Sequence, residues 1–167
     1  LAELQSALSL EAPPNRIECY DISNTQGTSA VGSMVVFEQG VPAKKFYRRF
    51  NIRSVTGPDD FASMEEVLSR RFKRWKSAQE GAGVGKKIDP SFGVLPDLLI
   101  VDGGKGQLSR AVKFLDAFEL TDRVHAVGLA KEHELLYQPG KDIAVELPRG
   151  SQGLFLVQRI RDEAHRF

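Results

Sequence analysis

The chain of 167 residues has a single cysteine, Cys19, so it can close no internal disulfide and build no cysteine-rich zinc site. It contains no run of about 18 apolar residues, the length a bilayer requires, and no basic stretch leading into an apolar core at its start. Membrane and secretory roles therefore have no support, and a reducing, cytoplasmic setting is expected. Biased composition is absent too: 41% hydrophobic and 27% charged residues fit one globular domain with a core of its own, not a disordered or fibrous chain. Nor is there an excess of charge of either sign. The net charge is +1, which by itself argues against a strongly electrostatic nucleic-acid binder.

What is present is an uneven distribution of that charge. Residues 41–76 hold ten Lys or Arg against four acids, a local charge of +6 that leaves −5 for the remainder. Such segregation can set a phosphate-binding surface beside an acidic pocket. A solvated basic face is the other reading.

Periodicity divides the chain. Residues 1–15 read as a helix end and linker, broken at Ala12-Pro13-Pro14-Asn15, and 16–167 as one domain. Three segments with strand character, 16–23, 28–37 and 43–52, are joined by turns at 24–27 and 38–40 and predict an antiparallel meander. Phe61, Met64, Leu68, Phe72 and Trp75 then recur at helical spacing below a basic outer face. Residues 77–93, rich in Gly and Lys, predict a flexible surface loop. The apolar run 95–101 reads as a strand covered on both sides, followed by Gly103-Gly104-Lys105-Gly106 and a helix to about Phe118. A strand over 124–129, a hairpin with arms near 135–137 and 143–145, and a final helix over 151–166 complete the order. A mixed α/β sheet satisfies it, with two strands added in parallel through helical crossovers.

The candidate chemistry lies at strand ends. Asp21 and Asp102 each sit near the end of an apolar strand, where neighbouring strands open into one crevice. Two carboxylates meeting there repel, and a hard divalent cation such as Mg²⁺ or Mn²⁺ removes that penalty. Capping and turn formation are the structural alternatives for both, although Gly103 and Gly104 also leave backbone amides open to a phosphate. Gly-Gly-Lys-Gly is no nucleotide P-loop, because it lacks the four-residue spacer and the Lys-Ser/Thr ending. His165 lies on the polar side of the last helix, with Asp162 three residues before it on the same face to orient its ring. His125 and His133 read as background. Asp60 opens the basic helix, where capping accounts for it, and Arg48, Arg49 and Arg53 are candidates for contact with a DNA backbone.

Four segments in this order carry a resemblance: Glu18-Cys19-Tyr20-Asp21-Ile22-Ser23, Gly57-Pro58-Asp59-Asp60-Phe61, Val101-Asp102-Gly103-Gly104-Lys105-Gly106-Gln107, and the stretch from Arg159 to Phe167 containing Arg161-Asp162-Glu163-Ala164-His165. Over 16–167 the chain resembles the C-terminal nuclease half of the UvrC family, the incision subunit of the bacterial excinuclease. The resemblance implies a ribonuclease-H-like fold, with a mixed five-stranded sheet flanked by helices, an extra hairpin and a C-terminal helix. It further implies a metal-dependent endonuclease of nucleotide excision repair that makes the 5′ incision at a lesion. Asp21, Asp102 and His165 match the family's Asp-Asp-His set and would hold Mg²⁺ or Mn²⁺, with Asp60 at a further acidic position associated with incision. Arg48, Arg49, Arg53, Lys105 and Arg161 become candidate DNA contacts. The implied partners are damaged double-stranded DNA and UvrB, with UvrA upstream. The chain is expected to be a fragment of the longer protein, cutting weakly or not at all by itself. One or two metal ions, and His165 as ligand or as general acid, stay open at this point. So do a non-catalytic DNA-binding or docking domain and a small-molecule phosphohydrolase.

Overall fold

A computed structural model of the chain describes residues 1–25, 29–53, 59–81, 89–130 and 134–167. The expected turn at 24–27 in part, Gly57-Pro58, residues 82–88 of the expected loop, and His133 lie outside the described residues.

Helix α1 (Ala2–Ala7) precedes strand β1 (Arg16–Thr25), which pairs antiparallel with β2 (Ser29–Glu38) along its length. The next partner of β2 is split into β3 (Val41–Pro42) and β4 (Arg48–Asn51), with a 3-10 turn at Lys44–Phe46 between them. The single strand expected over 43–52 does not form, because the 3-10 turn satisfies itself locally, Phe46 N donating to the Ala43 carbonyl at 3.0 Å. Helix α2 (Asp60–Glu80) and the short α3 (Pro90–Gly93) carry the chain to β5 (Leu98–Asp102), parallel to β1. Helix α4 (Lys105–Ala117) returns it to β6 (His125–Leu129), parallel to β5, and β7 (Leu136–Tyr137) pairs antiparallel with β6. Helix α5 (Gln152–Arg166) follows.

The order across the sheet is β3-β2-β1-β5-β6-β7, with β4 also on β2. The mixed sheet with a parallel centre is the expected one. Seven strands stand in place of five, because the third is split and the first arm of the expected hairpin joins the sheet edge. The second arm meets it only through the Leu136–Val145 bridge.

Strand alternation assigns the two faces. Gly32, the register partner of Ile22, lies under Val67 of α2, so the even-numbered side chains of β1 face α2. A Cβ at Gly32 would stand 2.4 Å from Val67, so only glycine allows the helix this close. The odd-numbered side chains, Ile17, Cys19 and Asp21, face α5. Helix α4 packs beside α2, and α1 against α5.

Both ends of the expected flexible loop are helical. Helix α2 runs to Glu80, and α3 buries Ser91 and Phe92. Residues 1–15 also do more than link: Leu4 and Leu8 are buried in the core, and Glu3 accepts a hydrogen bond from Gly153 N at 2.6 Å.

Candidate active site

Strands β1 and β5 run parallel with Tyr20 beside Val101, so the next rung places Asp21 beside Asp102 on the α5 face. The strand then outlasts its neighbour: β1 continues to Thr25 on β2 alone, so Asp21 stands within its strand, level with the end of β5. Helix α5 lies across β1 and β2 and delivers His165 onto the pair. Its Nδ1 is 3.0 Å from Asp21 Oδ2 and its Nε2 is 2.9 Å from Asp102 Oδ2. The carboxylates form the floor and the imidazole the mouth, with side-chain exposures of 7% and 0% against 42%.

One ligand atom from each of Asp21, Asp102 and His165 lies within 4.8 Å of the other two, and among the described residues no other such trio of metal-binding side chains occurs. Both carboxylate oxygens of Asp102 are buried and, among the described residues, have no aligned hydrogen-bond donor. A buried carboxylate so placed is one that a bound cation would favour. Two carboxylates with one imidazole form a donor set suited to a divalent ion of the Mg²⁺ or Mn²⁺ type, so the residues present fit such an ion. The electrostatic reach of the pair extends below the floor. Burial pushes the Cys19 thiol well up, and the charges of Asp102 and Asp21 push it further.

The loop after Asp102 is built for close approach. Gly103 has φ +154°, and a Cβ there would stand 2.4 Å from Gln107 Cγ. Gly104 caps α4, and Lys105, exposed, is its first residue.

Other expected site residues lie elsewhere. Asp162, expected to orient the imidazole, faces solvent and pairs with Arg161 at 3.6 Å, and the imidazole is instead flanked by the two strand carboxylates. Asp60 opens α2 outside the trio, and the cap is its neighbour Asp59, which accepts from Ala62 N at 3.0 Å. His125 opens β6 and is not in the cluster. Of the candidate DNA contacts, Arg48 grips Asp89 through two bonds of 3.2 and 2.9 Å. Burial raises the Asp89 carboxyl, but bonds from Arg48 and Ser91 outweigh it and hold the group below its ordinary range. Arg161 pairs with Glu134 at 2.7 Å. Arg49 donates to the Phe167 carbonyl and lies over the Phe167 ring. Arg53 is exposed, its backbone N–H donating to Glu66, and Lys105 stands over the Tyr137 ring.

Three contacts that no sequence pattern marks hold the end of α5. Ser33 Oγ donates to the Ala164 carbonyl at 3.0 Å, the Tyr47 hydroxyl donates to Glu163 Oε2 at 2.8 Å, and Tyr47 meets Phe167 edge-on. Only the alternation that turns Ser33 to the Asp21 side could have hinted at the first.

A family model described as the UvrC RNase H endonuclease domain matches residues 5–167. The UvrABC system protein C of Dehalococcoides mccartyi (strain CBDB1) is 54% identical over the whole chain, and that of Flavobacterium psychrophilum 45%. The chain spans 26% of the length of each of these relatives. Among solved structures, Ciona intestinalis endonuclease V, bound to a 24mer DNA containing an inosine, aligns with a TM-score of 0.44 and 14% identity over 71% of this chain and 46% of that one. Human ENDOV aligns over the same shares with a TM-score of 0.43 and 16% identity.

Proposed function

The chain belongs to the UvrC RNase H endonuclease domain family and has its ribonuclease-H-like fold, and from that premise we propose that it makes the 5′ incision at DNA lesions in bacterial nucleotide excision repair by metal-dependent phosphodiester hydrolysis. One observation carries the reading: Asp21, Asp102 and His165, from three separate elements, converge on a single point with the Asp102 carboxylate buried beneath the imidazole.

Asp21, Asp102 and His165 would hold the Mg²⁺ or Mn²⁺ ion. When bound, the ion supplies charge neutralisation at the phosphoryl oxygens and a more acidic water. The chain's own residues supply the rest. Two carboxylates on adjoining strands of one rigid sheet fix the charge and its direction, and burial keeps bulk water from behind them. His165, the exposed member, would complete the ion's donor set from the side open to a DNA strand. Asp60, which opens α2, would serve as an accessory acid; its neighbour Phe61 lies against Gly106 in the first turn of α4. Lys105 and Arg53 are the cations left to follow the phosphate backbone, and Arg48, Arg49 and Arg161 act through the partners that hold them.

The partners proposed are damaged double-stranded DNA and UvrB, with UvrA upstream, reached through the longer protein in the cytoplasm. In that protein, Asp21→Ala is expected to abolish Mn²⁺-dependent nicking of damaged DNA in the presence of UvrA and UvrB, with circular dichroism unchanged. Nicking at the wild-type rate by a folded variant would overturn the proposal.

A further inference from the structure

We propose that Ser33 and Tyr47 are positioning residues that pin the last turn of α5 and thereby set His165 between the two carboxylates. The inference rests on the reading of Asp21, Asp102 and His165 as the nuclease centre.

The side chain of His165 is 42% exposed, so packing alone holds it weakly. It lies on the turn of α5 formed by residues 163–166. Here that turn is tied down on both sides of the histidine. Ser33 Oγ donates to the Ala164 carbonyl at 3.0 Å, at the peptide that joins Ala164 to His165. Ser33 is also the register partner of Asp21, so one rung of the sheet fixes both the carboxylate and the backbone that carries the imidazole. The Tyr47 hydroxyl donates to Glu163 Oε2 at 2.8 Å, both residues being buried, and its ring meets Phe167 edge-on at 5.1 Å between centroids. Arg49 closes the set by donating to the Phe167 carbonyl. Residues 163, 164 and 167 are thus each held by β2, by β4 or by Tyr47 just before β4. A displacement of about 1 Å in a catalytic group can lower a rate by roughly 100-fold, so fixing this turn is enough to govern the rate.

The test uses the full-length protein with its UvrA and UvrB partners on damaged DNA, beside Mn²⁺ affinity measured from the free-ion EPR signal. Tyr47→Phe keeps the ring but removes the donor, and Ser33→Ala removes the other. Each is expected to lower kcat roughly 10-fold and weaken Mn²⁺ binding, leaving KM for DNA unchanged, with a loss of roughly 100-fold in the pair. Glu163→Gln keeps an acceptor for Tyr47 and should stay within about 2-fold of wild type, whereas Glu163→Leu should behave as Tyr47→Phe. All rates are taken per folded molecule, so a purely structural role appears as lost folded fraction with kcat and Mn²⁺ affinity intact, which would overturn the inference. His165→Ala runs alongside. If it is inactive while Ser33→Ala and Tyr47→Phe match wild type, positioning alone fails. If His165→Ala cuts normally, the nuclease-centre reading fails and takes the inference with it.

Discussion

Glu18 and Asp21 stand three positions apart on β1, on opposite faces of one sheet, and each belongs to a buried charged cluster. The two clusters are finished to different degrees. On the α2 side, Glu18 accepts from Arg71 at 2.9 Å through each oxygen, from Tyr20 at 2.6 Å and from Arg16 at 3.0 Å. The guanidinium groups spend further donors on the carbonyls of Ser91, Phe92 and Val94. Burial would push the Glu18 carboxyl up, yet Arg71 first and Arg16 next outweigh it, and the group lies below its ordinary value. Tyr20 is driven well up by its burial and then by Glu18. On the α5 side, two carboxylates share one imidazole, and among the described residues Asp102 has no aligned donor at either oxygen. A closed network of buried charges holds elements together. An unfinished one is completed by something that binds.

Asp102→Asn should break that contrast most sharply. In the full-length protein it is expected to lower incision by roughly 10³-fold or more, while the melting temperature holds or rises because two like charges no longer face each other. A lower melting temperature with incision intact would reverse the roles of the clusters. Arg71→Met acts on the other side, leaving Glu18 fully buried with only Arg16 as counter-charge. Denaturant titration should show a loss of about 3–5 kcal/mol, and an unchanged midpoint would deny that cluster its structural role. Acid sharpens the comparison. With its folded pKa depressed, Glu18 contributes stability that is fully present above its ordinary value of 4.5 and is lost as pH falls through the lower folded value. Melts below that ordinary value should therefore fall more steeply with acid in the wild type than in Glu18→Gln, and parallel curves would contradict the assignment. The smallest effect separates uncommitted cations from committed ones. Lys105→Ala should flatten the salt dependence of DNA binding by about one unit of slope, whereas Arg48→Ala, by releasing Asp89, should leave that slope unchanged.

How far the sequence could be read follows from the range of its signals. Alternation in β1 and the apolar run of β5 placed Asp21 and Asp102 at matched positions, and the helical period put His165 on the polar side of α5. Those are short-range patterns, and they transfer directly into geometry. Arg71 was unreadable in the same way: it sits among basic residues on α2, and nothing local announces that its partner Glu18 lies far back in the chain. The apolar stripe of α2 likewise took in Phe61, which is 46% exposed over Gly106, and passed over Val67, which is buried against Gly32. Asp162 shared a helix face with His165 and still took no part, because the strands supplied nearer carboxylates. The pins on α5 join residues more than a hundred positions apart, beyond any periodicity.

The imidazole comes from α5, which follows both acid-bearing strands along the chain, and this gives the cluster a direction in time. A ribosome releases β1 and β5 before α5, so a nascent chain can hold both acids in register while it still lacks their third member. Chains that stall or are cut before that helix would carry an incomplete centre.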